Sequence, residues 1–226
     1  GGHHTSRTVL CFVPENAEGV FAMTMINDHF ATIVSQEGES SAALLEDIAS
    51  QVAACRRCPL CEGRTNVVPG FGNPEARVML IGEAPGKNED LQGKPFVGAA
   101  GKSLTELLGY AGLTREDVFI ANVLKCRPPS NRNPQPSEIE ICTPFLRDQV
   151  RAIGPEYLVT MGNFATKFIL KTEQGITGLH GKPRTAGRFI VYPVFHPAAA
   201  IYDRTKRDAL EADFAALGER LKQPRA

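Results

Sequence analysis

Four short apolar runs alternate along the chain with segments whose apolar residues recur at helical spacing. The runs are predicted to be strands, and they cover residues 78–81, 118–123, 157–161 and 189–195. The helical patterns between them cover residues 101–110, 137–152 and 163–171. This alternation predicts an α/β fold in which helices cover both faces of a parallel sheet.

Two more helices are predicted outside this repeating unit. Residues 40–54 begin with a serine that can cap a helix, and this helix leads directly into a pair of cysteines. A second helix, roughly over residues 205–221, carries one apolar stripe and should close the fold; the stripe contains Leu210, Phe214, Leu217 and Leu221.

The N-terminal part of the chain differs from the rest. Residues 1–40 show neither helical nor strand periodicity, so we expect a variable, flexible extension followed by a single domain over residues 41–226. The 226 residues carry no net charge, but the first 50 hold seven acidic residues and one basic residue, Arg7. The remainder therefore holds 24 basic residues against 18 acidic ones, and a basic domain suits a nucleic-acid partner.

No run of apolar residues is long enough to span a membrane, and no secretion signal is recognisable, so a cytoplasmic protein is expected. Such a compartment favours metal-binding or free thiols over disulfides. Two pairs of cysteines, Cys55 with Cys58 and Cys126 with Cys142, could together hold a structural zinc ion or an iron–sulfur cluster. Their spacing does not separate these two options. Cys61 is interpreted as a spare thiol and Cys11 as having no role at the site.

Polar side chains follow each of the predicted strands. The first strand runs into Gly82 and Glu83, the second into Asn122, the third into Gly162 and the fourth into His196. Because ligand sites of open parallel sheets lie beyond the carboxyl ends of the strands, we expect these residues to line one crevice.

Several long motifs occur in a fixed order: CRRCPLCEGR, GEAPGKNEDLQGKPFVGAAG, NVLKCRPPSNRNP and HPAA. Together they resemble the family 4 uracil-DNA glycosylases over about residues 50–221. The resemblance implies a monofunctional DNA-repair enzyme that hydrolyses the bond between uracil and deoxyribose. It also implies a three-layer α/β/α sandwich with a central four-stranded parallel sheet, and a 4Fe-4S cluster on Cys55, Cys58, Cys126 and Cys142.

The resemblance also assigns roles in a pocket for a flipped-out base. Phe96 would stack on uracil, and His196 would donate a hydrogen bond to uracil O2. The amide of Asn122 can match O4 and N3–H of uracil but not the reversed pattern of cytosine. Backbone groups of Gly82, Ala84 and Gly86 are expected to contact uracil or phosphate.

A carboxylate near the sugar can orient a water molecule and stabilise the sugar cation. Glu83 is predicted to have this role, with Glu89, favoured over Asp90, assisting. DNA contacts are predicted for basic residues near the second cysteine pair and for the segment after His196. These contacts are Lys125, Arg127, Arg132, Arg204 and Lys206, with an apolar wedge in residues 198–202 that includes Ala200 and Ile201.

Other functional classes fit less well. A phosphate-loop nucleotidase would need glycine where Phe96 stands. A sibling group that is trapped covalently on DNA uses a histidine after the second strand, and no histidine lies between Cys126 and Cys142. An electron carrier and a non-catalytic DNA-binding module remain as alternatives. We expect a monomer that acts on uracil in single- or double-stranded DNA.

Overall fold

A sheet of six strands forms the centre of the protein. The computed structural model describes residues 38–225, so most of the predicted extension and Cys11 lie outside the described residues. In chain order the strands are β1 (Phe71–Gly72), β2 (Val78–Gly82), β3 (Val118–Asn122), β4 (Tyr157–Met161), β5 (Arg184–Ala186) and β6 (Phe189–Val194).

The strands lie in the order β1-β3-β2-β4-β6-β5. The four central strands, β3, β2, β4 and β6, are parallel, and they match the four apolar runs of the sequence. The expected four-stranded parallel sheet is thus present, but two antiparallel edge strands extend it. β1 and β5 have two and three residues, which is too short for an alternating pattern to be recognised.

Helices flank the sheet and connect its strands. They are α1 (Ser41–Ala54), α2 (Leu60–Gly63), α3 (Lys87–Gln92), α4 (Ala99–Tyr110), α5 (Pro136–Ile153), α6 (Gly162–Leu170), α7 (Ile176–Leu179), α8 (Ala199–Tyr202) and α9 (Arg204–Leu221), with a short 3-10 turn at Pro129–Asn131. No helix in the described part of the chain is both long and apolar enough to cross a membrane.

Alternation along β2 explains the three layers. Val78 and Leu80 point to one face, where they pack in a core with residues of α4 and α9. Met79 and Ile81 point to the other face, where the core includes residues of α5 and α6. Because both faces of the central strands are covered, every residue of β2, β3 and β4 is buried.

Local sequence signals set the ends of two important helices. The side chain of Ser40 accepts a hydrogen bond from the backbone of Ala43 and caps α1, as predicted. Asp203 caps α9 in the same way by accepting from Lys206. A third core cluster joins α1 to α5 and includes Cys126 and Cys142. The helix before the first cysteine pair is thereby fixed beside the second pair.

Candidate active site

The carboxyl ends of the four parallel strands meet in one crevice. A Cβ atom on Gly162, directly after β4, would lie 3.2 Å from the Cβ of His196, which follows β6. A Cβ atom on Gly82, at the end of β2, would collide with Oδ1 of Asn122 and lie 3.0 Å from the ring of Phe96. The glycines therefore let four segments approach closely, and residues that follow the four parallel strands lie near one another in the region called the crevice below.

Phe96 lies in the loop between α3 and α4 with a left-handed backbone (φ 52°), which is rare for a bulky residue. Its ring stacks on that of His196, with 5.7 Å between centroids and an angle of 29° between planes. A Cβ on Gly101, in the first turn of α4, would collide with the carbonyl of Phe96. The strained conformation is thus held by close packing, as is common at functional sites.

Glu89 holds the same loop. Its Oε1 accepts hydrogen bonds from the backbone of Val97 (3.0 Å) and Gly98 (3.2 Å). Arg115 donates to the carbonyl of Pro95 at 2.9 Å, on the other side of Phe96. The neighbouring Asp90 is buried and accepts from Thr65, so it ties down a different segment. Of Glu89 and Asp90, only Glu89 binds the loop that carries Phe96.

Asn122 presents an unused acceptor inside the crevice. The residue is 2% exposed, and within residues 38–225 its Oδ1 has no hydrogen-bond partner. Buried polar atoms without partners are rare, because each costs roughly 1–3 kcal/mol. An acceptor left open at this position suits a ligand that donates a hydrogen bond.

His196 is held in one protonation state. Its Nδ1 accepts a hydrogen bond from the backbone of Ala198 at 3.1 Å, so the neutral ring carries its proton on Nε2. Burial lowers the pKa of His196, with the charge of Glu89 acting in the opposite direction. The side chain is therefore a neutral donor through Nε2.

Glu83 offers a carboxylate that no protein group engages. In the described residues its side chain has no hydrogen bond or ion pair, and burial raises its pKa above the ordinary value. Ala84 packs against the cluster that joins α1 to α5, and Gly86 precedes α3 as its N-cap. Glu83 thus lies at the strand end with both oxygens free for water or substrate.

The cysteines lie together in a second recess, the cysteine pocket. It is lined by Val52, Cys55, Arg57, Cys58, Leu60, Cys61, Arg64, Lys125, Cys126, Ile141, Cys142 and Phe145. Arg64 donates to Sγ of Cys126 and the backbone of Lys125 donates to Sγ of Cys142, both at 3.2 Å. Cys61, predicted to be spare, also reaches the pocket.

Basic residues line the cysteine pocket beside the thiols. Burial opposes ionisation of Cys55, but hydrogen bonds and charge from Arg57 bring its pKa below the usual value. Burial raises the pKa of Cys142 to about 11. Among the described residues no three histidine, cysteine or acidic side chains close around a single metal ion.

Lys125, predicted to contact DNA, is buried instead of lying on the surface. It is 1% exposed, and its Nζ donates to the carbonyl of Asn122 and to Oε1 of Gln149. Burial lowers the pKa of Lys125 to about 8, partly offset by Cys142. A side chain enclosed in this way cannot reach a phosphate.

The other predicted DNA contacts differ in accessibility. Arg204 and Lys206 are exposed at the start of α9. Arg127 is part-buried and donates to Asn131, while Arg132 makes a two-point ion pair with the buried Glu138. Arg127 and Arg132 therefore shape the loop before α5 through these contacts.

The wedge prediction needs a correction. Ala200 is 8% exposed and packs in the core beside α4 and α9, so it cannot enter a base stack. Ile201 is 43% exposed and Tyr202 is 88% exposed, and both project from α8. Tyr202 belongs to the predicted wedge segment, residues 198–202, although the prediction named only Ala200 and Ile201.

Two further residues near the site, Gln149 and Arg115, are absent from the predictions. Gln149 occupies a position on the apolar stripe of α5, between Leu146 and Ile153, and is 1% exposed. A polar residue on an apolar stripe is a recognisable signal for a buried hydrogen bond. Arg115 follows a turn and carries no such signal.

The amino-acid sequence is similar to those of known uracil-DNA glycosylases. Residues 69–221 match the family model described as the uracil DNA glycosylase superfamily. The chain is 46% identical over 183 residues to the type-4 uracil-DNA glycosylase of Archaeoglobus fulgidus, covering 77% of this chain and 92% of that protein. It is 44% identical over 164 residues to the type-4 enzyme of Thermotoga maritima, covering 72% and 85%. The type-5 uracil-DNA glycosylase of Pyrobaculum aerophilum is 30% identical over 186 residues, covering 68% and 82%.

Proposed function

Since the chain belongs to the uracil DNA glycosylase superfamily, we propose that it excises uracil from DNA by hydrolysing the N-glycosidic bond, which leaves an abasic site. The observation that carries the proposal is the unpartnered Oδ1 of Asn122, buried in the same crevice as the rings of Phe96 and His196. A non-catalytic DNA-binding module or an electron carrier would not need this arrangement.

The crevice suits a base that has left the double helix. Flipping costs a few kcal/mol of stacking and pairing, which binding in the pocket must offset. Phe96 provides a ring on which uracil can stack. Oδ1 of Asn122 accepts from N3–H of uracil, and the amide nitrogen donates to O4. Cytosine has no proton on N3, so it would leave this buried oxygen unpaired. In this proposal, backbone groups of Gly82, Ala84 and Gly86 contact uracil or phosphate.

Cleavage separates charge, and two side chains suit the two charges. As the bond between N1 of uracil and C1′ of the sugar breaks, the bonding electrons leave with uracil, and C1′ becomes cationic. His196 donates through Nε2 to O2, where negative charge develops. Glu83 stabilises the cation and orients the water that attacks C1′. Glu89 assists indirectly, because its hydrogen bonds position the loop of Phe96.

The cysteine pocket fits a 4Fe-4S cluster held by Cys55, Cys58, Cys126 and Cys142. A single zinc ion needs its ligands around one point, whereas a cubane cluster spreads four thiolates over several irons. All four thiols line one recess, and the resemblance to the family 4 enzymes favours the cluster over a zinc ion. When bound, the cluster supplies a structural cross-link between the two cysteine pairs. Cys61 remains a spare thiol in this proposal.

The substrate is DNA that contains uracil, either single- or double-stranded, bound by a monomer. Arg204 and Lys206 are exposed just beyond the segment that follows His196, where they can contact phosphates. Ile201 and Tyr202 are the candidates for the wedge that fills the vacated space. A cytoplasmic location and an independent extension over residues 1–40 stay predictions.

The test is strand scission at a single uracil. Purified protein is incubated with an oligonucleotide that contains one uracil, and abasic sites are then cleaved with alkali. We expect scission at the uracil and a loss of rate of about 10²–10⁴-fold in Glu83→Gln, while the matched surface variant Glu75→Gln retains full activity. Intact DNA from iron-loaded wild-type protein would reject the proposal.

A further inference from the structure

Lys125 begins a buried chain of hydrogen bonds at the end of β3. Its Nζ donates to the carbonyl of Asn122 at 2.8 Å and to Oε1 of Gln149 at 2.7 Å. Gln149 is itself 1% exposed, and its Nε2 donates to the carbonyl of Pro69 at 2.6 Å. Three segments that are distant in sequence are thus joined through one ammonium group and one amide.

The main chain of Lys125 lies in the cysteine pocket. Its N–H donates to Sγ of Cys142 at 3.2 Å, and the next residue is Cys126. Its carbonyl accepts from the backbone of Val68 at 2.8 Å. Every polar group of this residue therefore has a partner, although the side chain is out of contact with solvent.

The ammonium group of Lys125 is held by two uncharged acceptors, the carbonyl of Asn122 and Oε1 of Gln149. No ion pair among the described residues includes Lys125. A buried polar group is costly unless it is hydrogen-bonded, so these two contacts fix the side chain in one position.

We propose that Lys125 is a positioning residue that couples the cysteine pocket to Asn122, holding the backbone of the uracil-reading residue through its side chain and a cluster ligand through its main chain. The inference rests on the proposed function for the role of Asn122. Oδ1 of Asn122 has no hydrogen-bond partner among the described residues. The backbone must then set the position of the amide, and small displacements of binding groups lower rates strongly.

The first test compares Lys125→Met with Lys222→Met. The first variant removes the ammonium group and keeps most of the side-chain volume, and the second removes an exposed lysine that pairs with Glu219 at the end of α9. We expect Lys125→Met to lose iron faster in the presence of a chelator. We also expect its single-turnover excision rate, corrected for iron content, to fall at least tenfold. Lys222→Met should match the wild type in both measurements.

A double-mutant cycle separates positioning from a general loss of structure. If Lys125 acts through Asn122, then Lys125→Met should change the iron-corrected rate less than twofold in an Asn122→Ala background. A tenfold loss in both backgrounds would overturn the proposal, as would an unchanged rate in the single variant. A wild-type protein without uracil excision would instead reject the proposed function.

Gln149→Leu covers the case in which Lys125→Met does not fold or retains no iron. This variant keeps the lysine and all cysteines but removes the second acceptor of Nζ and the bond to Pro69. We expect normal iron content with a lowered excision rate, again without a further effect in the Asn122→Ala background. A wild-type rate in iron-loaded Gln149→Leu would overturn the proposal.

Discussion

At the residue scale, hydrogen bonding and burial decide the protonation state of His196. The backbone of Ala198 donates to Nδ1, and this bond is lost if Nδ1 takes up a proton. Burial acts in the same direction by lowering the pKa of the ring. The side chain therefore stays a neutral donor at pH values where an exposed histidine would begin to ionise.

These directions predict the acid limb of the pH profile. The proposed mechanism needs Glu83 ionised and His196 neutral. Burial raises the pKa of Glu83 from 4.5 and lowers that of His196 from 6.5. The rate should therefore fall as the pH decreases, because Glu83 takes up a proton at a pH above its ordinary pKa and His196 at a pH below its own. Single-turnover rates from pH 4.5 to pH 8 measure this, with substrate saturating at each pH. A limb centred above pH 6.5 that persists in Glu83→Gln would contradict the lowered pKa of His196.

At the scale of elements, the conformation of the loop between α3 and α4 requires a glycine at position 101. Gly101 lies against the carbonyl of Phe96, and a Cβ there would force the loop to move. Gly109 is also in α4, but a Cβ at that position meets no atom within 4 Å. The two glycines give a matched pair within one helix.

Alanine at these two positions should have opposite effects. Gly101→Ala is expected to lower the free energy of unfolding by about 1–3 kcal/mol through overpacking and to reduce excision by displacing Phe96. Gly109→Ala should raise the free energy of unfolding by about 0.5–1 kcal/mol, because alanine favours the helix, and leave the rate unchanged. Urea unfolding and excision assays measure both. Equal effects from the two substitutions would contradict this account of the loop.

The short helix α8 presents Tyr202 almost fully to solvent, directly before the basic start of α9. If this side chain fills the space of the flipped nucleotide, its loss should matter for double-stranded DNA, in which a stack must be kept open. Tyr202→Ala should lower excision about tenfold on duplex substrate, which corresponds to about 1.4 kcal/mol, and much less on single strands.

Tyr110→Ala is the control for this prediction, because Tyr110 is an exposed tyrosine of α4. It should leave the ratio of duplex to single-strand rates as in the wild type. Equal losses of Tyr202→Ala on both substrates would assign Tyr202 to general DNA binding instead of the wedge.

At the scale of the whole molecule, the two cysteine pairs join parts of the chain that the sheet does not connect directly. Cys55 follows α1, Cys142 lies inside α5, and these two helices pack on each other. A cluster that bridges them closes a long loop, and such a cross-link stabilises a protein by a few kcal/mol.

Removing the iron should therefore affect α1 first. We expect the apoprotein to unfold at lower denaturant concentration, and its backbone amides in α1 to exchange hydrogen faster while those in β2 and β4 stay protected. Hydrogen exchange followed by mass spectrometry resolves these segments. Uniformly faster exchange would show that the cross-link supports the sheet as well.

Much of this architecture follows from local pattern, and the exceptions depend on tertiary packing. The central strands are buried on both faces, so they form continuous apolar runs that reveal their positions within a residue or two. Lysine is rarely buried, so the sequence alone predicts Lys125 at the surface. Its burial depends on Gln149, which lies in a helix 24 positions away and could not be paired with it from local pattern. Ala200 and Tyr202 share a short segment, and only the packing of α8 decides which of them is exposed.

The order of the ligands along the chain has a consequence for biosynthesis. During translation the N-terminal parts of a protein leave the ribosome first, and they begin to fold before the rest is made. All four cysteines of the proposed cluster precede β4, whereas His196 follows the last strand. A nascent chain therefore holds all four ligands of the proposed cluster before it holds all residues of the proposed active site.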